Sequence, residues 1–272
     1  MTTDALARPA AARGHVTQAR VLHSEWIKLR TLRSTFATLL AAAVMMIGLG
    51  PLFSAVTADR WSAMSAAERA ALDPTALSLI GFFLAQLAVG VLGVLVVTGE
   101  YSTGMIRASF SAVPRRLPVL WAKAAVYGVV TWALMTGASL AAFLAGQALM
   151  SATDAGASLG DPGVTRAVLG TGLYLTVVAL LSVGIGAMIR NTAGGTATVF
   201  GLLLVLPELV NALPSSWSGR VGPYLPSNAG HAIAVLHPDR HTLPPWTGFT
   251  VFCLYAAGAL AGAALVLRRR DA

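Results

Sequence analysis

The chain has 272 residues, 56% of them hydrophobic and only 11% charged, with a mean hydropathy of +0.71. Soluble domains average about 45–50% apolar and about 25% charged, so this composition describes an integral membrane protein. It excludes a disordered chain, a disulfide scaffold (the only cysteine is Cys253) and a soluble nucleic-acid binder. The net charge of +8 fits the Lys and Arg that collect on the cytoplasmic side of membrane proteins, and no nucleic-acid partner is expected.

Residues 1–15 read as a disordered tail, without the short apolar core that a secretory signal needs. Residues 16–34 follow as a short cytoplasmic segment. There Leu22, Trp26 and Leu29 form one apolar stripe at helical spacing, flanked by Lys28, Arg30 and Arg33. That pattern predicts an amphipathic helix lying on the inner leaflet, with its basic side chains reaching anionic headgroups.

About 20 apolar residues cross the hydrocarbon, and six segments qualify: Thr35–Val56, Ala76–Thr98, Val119–Met150, Ala167–Ile189, Ala193–Leu213 and Trp246–Leu267. The third is long enough to tilt or project. None alternates with the period of two that a barrel strand requires, so the fold class is all-α, with a six-helix transmembrane domain over residues 35–267. Gly258 and Gly262 in the sixth segment form a GxxxG pattern suited to close helix packing.

Fourteen of the nineteen basic residues fall on the side of the two termini and five on the other. Both termini are therefore expected in the cytoplasm, with an inward loop at residues 99–118, an outward cap at 214–245 and a basic tail at 268–272. The inward loop starts at Glu100, where the second segment leaves the membrane. Ser102 or Thr103 can cap a short helix there, and Pro114 turns the chain back. Seventeen of the basic residues are Arg and only Lys28 and Lys123 are Lys. With abundant Ala and Gly, that bias suggests a GC-rich genome.

No phosphate-cradling GxxxxGK[ST] motif, HExxH pair or zinc-spaced Cys/His cluster occurs. Gly156-Ala157-Ser158-Leu159-Gly160 spells GxSxG, but it precedes Asp161-Pro162 in an outward loop and reads as a turn rather than a nucleophile elbow. His231, His237, Asp239 and His241 lie together in the last outward loop, where Pro238 interrupts helical ligand spacing, so they read as solvated histidines. Within the spans the ionisable residues are Glu208 and Lys123. Glu208 follows Pro207 near the outward end of the fifth segment, and either lines a substrate path or snorkels to water beside a Pro kink. Lys123 reads as a snorkelling lysine at the inner end of the third segment. No catalytic residue, metal site or cofactor is expected in this chain, and it carries no energy source of its own.

Two cytoplasmic stretches, in this order, resemble the permease subunits of ABC-2 type ABC transporters. Those have an SEW-x-K-x-R-type elbow before the first span and an E-Y/F-x-x-G-T stretch with P-x-R after the second. The chain matches at Ser24, Glu25, Lys28 and Arg30, and again at Glu100, Tyr101, Gly104, Pro114 and Arg116, and Trp26 lies in the same elbow. It departs at Met105, where Thr is usual, and at Ala108-Ser109-Phe110, where leucines are commoner. The turn Arg190-Asn191-Thr192-Ala193-Gly194-Gly195 between the fourth and fifth segments also looks like that of the family.

The resemblance implies a bacterial plasma-membrane exporter in which two permease subunits, identical or related, form the pathway. A separate cytosolic ABC subunit binds ATP and Mg, and transmits its closure through a coupling helix at Glu100–Val113, with Arg107 as a charge contact. The cargo expected is a small amphipathic or hydrophobic molecule. The alternatives are a membrane-embedded enzyme and a carrier or channel not driven by ATP.

Overall fold

The computed structural model describes residues 17–102, 117–151, 153–238 and 242–269. Six of its helical segments are long and apolar enough to cross a membrane: Arg33–Ala63, Pro74–Tyr101, Leu117–Met150, Val164–Ile189, Thr192–Asn211 and Pro245–Arg269, called spans 1 to 6 below. The chain is an all-helical, multi-pass membrane protein, and no strand occurs among the described residues. The expected tail at 1–15, most of the inward loop and the last residues of the basic tail lie outside them.

Ahead of span 1 runs a helix at Gln18–Thr31, and Leu32, in extended conformation, separates the two. The face of this N-terminal helix that packs on the bundle takes in Leu22 and Leu29 of the predicted stripe, both partly buried, but not Trp26. Val21 and Glu25 are buried, with Lys28 one turn further on, whereas Trp26 and Ile27 remain 45% and 47% exposed. Val21 meets Val119 and Ala122 of span 3, and Gln18 Nε2 donates to the Pro118 carbonyl at 3.1 Å. Beside these apolar contacts, Glu25 and Lys28 meet charged side chains of the bundle.

Between spans 1 and 2, Ser65 and Glu68 form a reciprocal capping box that starts a helix at Ala66–Ala71. Asp73 Oδ1 then accepts the amides of Thr75 and Ala76 at 2.9 and 3.0 Å, capping the start of span 2 with Pro74 in its first turn. Span 2 is not one rod. It divides into Pro74–Leu79 and Phe82–Ser102, and the join crosses span 1 closely, since a Cβ on Gly81 would lie 2.7 Å from Met46 Cα. A Cβ on Gly50 would likewise overlap the Ser78 carbonyl. The same crossing is stitched by polar groups, with Gln147 Nε2 of span 3 donating to both the Pro74 carbonyl and Ser78 Oγ at 3.0 Å.

Span 4 is the axis of the bundle. Its apolar window is 72% buried against 28% for spans 5 and 6, because it packs on spans 2, 3 and 6. The expected GxxxG contact of span 6 is not made in this chain. Gly258 has nothing within 4 Å of its Cβ position and Gly262 meets the flexible Met188 sulfur, while the tight approach is Gly184 of span 4 against the backbone of Ala259. In span 5 the expected Pro kink takes the form of a π-helical turn at Gly201–Val205, just before Pro207. Such a turn absorbs the carbonyl that a helical Pro leaves without a donor.

The segment at 214–245 folds into short helices at Ser215–Val221 and Pro226–His231. Arg166 of span 4 anchors it, donating to the carbonyls of Ile233 at 2.6 Å and Val235 at 3.0 Å.

Candidate functional site

At the end of the bundle that carries the N-terminal helix, four charged side chains from three elements converge. Glu25 and Lys28 lie on the N-terminal helix, Glu100 in the last turn of span 2 and Lys123 in the second turn of span 3. Lys123 Nζ donates to Glu25 Oε2 at 2.6 Å and to Glu100 Oε1 at 3.0 Å. Lys28 Nζ donates to Glu25 Oε1 at 2.7 Å and to Glu100 Oε1 at 2.9 Å. Each ammonium therefore bridges both carboxylates, and the formal charges cancel within the square.

Burial makes the arrangement consequential. Glu25, Lys123 and Glu100 are 4%, 5% and 7% exposed, so each charge depends on its partners rather than on water. Lys28 sits at the wetter edge. Burial pushes its ammonium pKa down, but the adjacent Glu25 and Glu100 carboxylates push it up by more, and the net shift is above the ordinary lysine value. The expectation that Lys28 and Lys123 reach outward to headgroups is corrected here, because both ammonium groups turn into the protein.

The choice of residue type fits the geometry. The chain uses Arg at 17 of its 19 basic positions, yet both bases of the square are Lys. A compact ammonium can donate to two carboxylates at once from the centre of a small site, whereas a planar guanidinium needs the width of its fork.

A second set of contacts joins the same turn of span 2 to the connection between spans 4 and 5. Arg190 ends span 4 in the left-handed region, at φ 57°, which non-glycine residues adopt rarely. Its guanidinium lies 5.2 Å over the Tyr101 ring, within cation–π range. Asn191 Oδ1 accepts the Gly194 amide at 2.8 Å and caps span 5, and Thr192 Oγ1 donates to Thr98 Oγ1 at 2.8 Å. Glu100 and Tyr101 thus sit at a hub that holds the N-terminal helix, span 3 and the 4–5 turn.

Of the residues singled out in the sequence, Glu25, Lys28, Glu100 and Tyr101 come together here. Trp26 and Arg30 share the N-terminal helix but are exposed. Gly104, Arg107, Pro114 and Arg116 lie outside the described residues. Lys123, read as a lone snorkelling lysine, belongs to the hub, as do Arg190, Thr192 and Thr98. The signal that could have found Lys123 is its identity, being one of two lysines in an arginine-rich chain.

At the opposite end the candidates disperse. Glu208 is exposed on the last turn of span 5, at the edge of a cavity of about 240 Å³ that His231 and Tyr174 also line. His231 is half-buried and stacks on Phe82 with ring centroids 4.4 Å apart, and loss of water around it pulls its pKa down to about 4. It packs against aromatic rings on one side and lines the cavity on the other. His237 is 87% exposed and 3.7 Å from Asp73, while Asp239 and His241 lie outside the described residues. No group of three metal-ligating side chains forms among the described residues. The GxSxG segment is a loop in which Ser158 Oγ accepts the Gly160 amide and the Ser158 amide donates to Asp161.

Compared with known proteins, the chain matches no family model and no curated protein.

Proposed function

We propose that this chain is the membrane-spanning permease subunit of an ATP-driven, ABC-2 type exporter in a bacterial plasma membrane, with both termini cytoplasmic. The observation that carries the reading is the hub at Glu100 and Tyr101. The two stretches that resemble the family, Ser24-Glu25-Trp26 with Lys28 and the Glu100-Tyr101 pair, are 72 residues apart along the chain at Lys28 and Glu100 yet are joined by a 2.9 Å ion pair. A partner that pushes on the segment after Ser102 would move the end of span 2. Through the buried square that displacement reaches the N-terminal helix and span 3, and through Arg190 and Thr192 it reaches spans 4 and 5.

On this reading the N-terminal helix is the elbow, its exposed Trp26 and Ile27 lying in the inner leaflet. The sequence carries no phosphate-cradling GxxxxGK[ST] motif, and on this reading ATP and Mg act on a separate cytosolic subunit. A second permease copy or relative completes the pathway, and the sparsely buried faces of spans 5 and 6 are available to it or to lipid. The charge-poor spans favour a small amphipathic or hydrophobic cargo.

The test is affinity purification of the chain, tagged after Ala272, from gently solubilised native membranes. A stoichiometric P-loop ATPase that disappears when residues 100–107 are scrambled in a variant that still inserts supports the proposal. Its absence in several mild detergents favours a membrane-embedded enzyme or an ATP-independent carrier instead.

A further inference from the structure

At the end of the bundle opposite the square, the cavity of about 240 Å³ lies between spans 2, 4 and 5 and the short helix Pro226–His231. Part of its wall is aromatic. Phe82 packs on Phe83 and stacks on His231, and Tyr174 stands edge-on to both Phe82 and His231. Leu203, Leu204 and Pro207, at and just after the π-helical turn of span 5, supply aliphatic lining. Cavities for drug-sized ligands run from about 300 to 1,000 Å³, so this one suits a molecule of a single ring.

One of its polar groups is free. Gln86 is 2% exposed, and its Oε1 accepts the Tyr174 hydroxyl at 2.6 Å. Its Nε2 donates to no group among the described residues, yet water can reach it, unlike the orphaned Thr131 and Thr136 hydroxyls sealed in the core. Since Gln86 lines this cavity and is otherwise enclosed, the free amide nitrogen opens into it. Water or a ligand oxygen can accept from it there. The other polar lining is accounted for. Asn228 Nδ2 donates to the Gly222 carbonyl at 2.9 Å, which leaves Asn228 its carbonyl oxygen as an acceptor, and the Ser227 hydroxyl is closed off. His231, with its pKa near 4, is neutral and adds no charge. Glu208, at the edge, is the only charged side chain of the lining among the described residues, so the cavity favours a cation and has no Lys or Arg to hold an anion.

We propose that this cavity binds a small aromatic amine with an oxygen at the far end of its ring. The oxygen accepts from Gln86 Nε2, the ring packs on the aromatic wall, and the ammonium lies toward Glu208. The buried amide sets the choice of ligand, since a donor left unpaired in an enclosed site is costly, while the exposed carboxylate adds a weaker preference for positive charge. The proposal concerns binding alone and stands on the cavity and its free amide, so it holds or fails independently of the permease reading.

The experiment measures tyramine binding to the full chain in phosphatidylcholine nanodiscs at neutral pH, with empty discs subtracted. Two comparison probes are used. In para-methylphenethylamine a methyl group replaces the hydroxyl at the same size and charge, and hydroxyphenylpropionate keeps the hydroxyl but reverses the charge. Tyramine is expected to bind about tenfold more tightly than the methyl analogue, which strands the Gln86 amide. Gln86→Leu should erase that preference while still binding the methyl analogue, which shows that the variant is folded. Glu208→Gln, at an exposed position, should weaken both amines about threefold without weakening the propionate. Leu204→Trp fills the cavity from a partly exposed position and should abolish tyramine binding with an unchanged melting temperature. The absence of saturable tyramine binding overturns the proposal and leaves the Gln86 amide to water. Equal binding of the methyl analogue also overturns it, as does a preference that survives Gln86→Leu or binding that Leu204→Trp leaves intact.

Discussion

Replacing Lys123 by Met keeps the length and apolar stem of the side chain and removes its ammonium. Two hydrogen bonds of 2.6 and 3.0 Å disappear, and Lys28 is left to serve both Glu25 and Glu100. One positive charge then faces two carboxylates at a site where both acids are less than a tenth exposed. Removing one member of a buried ion pair costs about 3–5 kcal/mol, mostly from the stranded charge, whereas an exposed pair is worth about 0–1 kcal/mol. Lys123→Met is therefore expected to lose about 3–5 kcal/mol, read from the midpoint of an SDS titration in dodecylmaltoside micelles. Adding Glu25→Gln restores charge balance, with Lys28 against Glu100. The double variant should recover part of the loss, with a coupling of about 1–3 kcal/mol between the two sites. A loss below about 1 kcal/mol for Lys123→Met, with strictly additive single changes, would refute the buried square and restore a snorkelling lysine.

Three further outcomes follow from the packing and the charges. Gly50→Val places atoms onto the Ser78 backbone and should destabilise the crossing of spans 1 and 2 markedly, whereas Gly258→Val meets open space and should change the thermal midpoint little in monodisperse protein. His231, neutral in the fold with its pKa near 4 against an ordinary 6.5, contributes fully above pH 6.5. As pH falls from 6.5 toward 4 the unfolded chain takes up a proton that the folded chain refuses, so stability drops by up to about 3 kcal/mol, and His231→Phe should flatten that limb of the pH–stability curve. Lys28 runs the other way: its raised pKa stabilises the fold below the ordinary lysine value of 10.5 and loses that contribution as pH rises through the folded value. Lys28→Met should be less alkali-sensitive than the parent protein.

The six spans were legible because length and hydropathy alone define them, and their ends shift by three residues or fewer except at the end of span 1, which runs on from Val56 to Ala63. The division of span 2 was not. Leu79, Ile80, Gly81, Phe82 and Phe83 keep the segment apolar straight through the break, and what bends it is the backbone of span 1 alongside. The helix at Ala66–Ala71 had its signature in view, Ser65 followed three residues later by Glu68, but no apolar run follows it to draw attention. The N-terminal helix was legible as a helix, and Leu22 and Leu29 of its stripe pack on the bundle while Trp26 faces out. What the stripe did not reveal is the polar line through Glu25 and Lys28 that packs beside it. Each member of the square is visible in the sequence, yet Glu25 and Lys123 lie 98 residues apart, and no local pattern says which acid meets which base. The histidines show the reverse case. Proximity in sequence suggested a cluster, and folding stacks the half-buried His231 on aromatic rings while leaving His237 in the open.

The claim that the segment after span 2 receives a cytosolic ATPase is tested most directly by site-specific cross-linking. In a Cys253→Ser background, Ser109→Cys is placed between spans 2 and 3 and Ser227→Cys between spans 5 and 6, and each variant is treated with a short bifunctional maleimide in native membranes. The account predicts a cross-link from position 109 to a single P-loop ATPase, altered in yield by ATP with vanadate, and none from position 227. Cross-linking at 109 to no nucleotide-binding protein, in a variant that still inserts and folds, would contradict it.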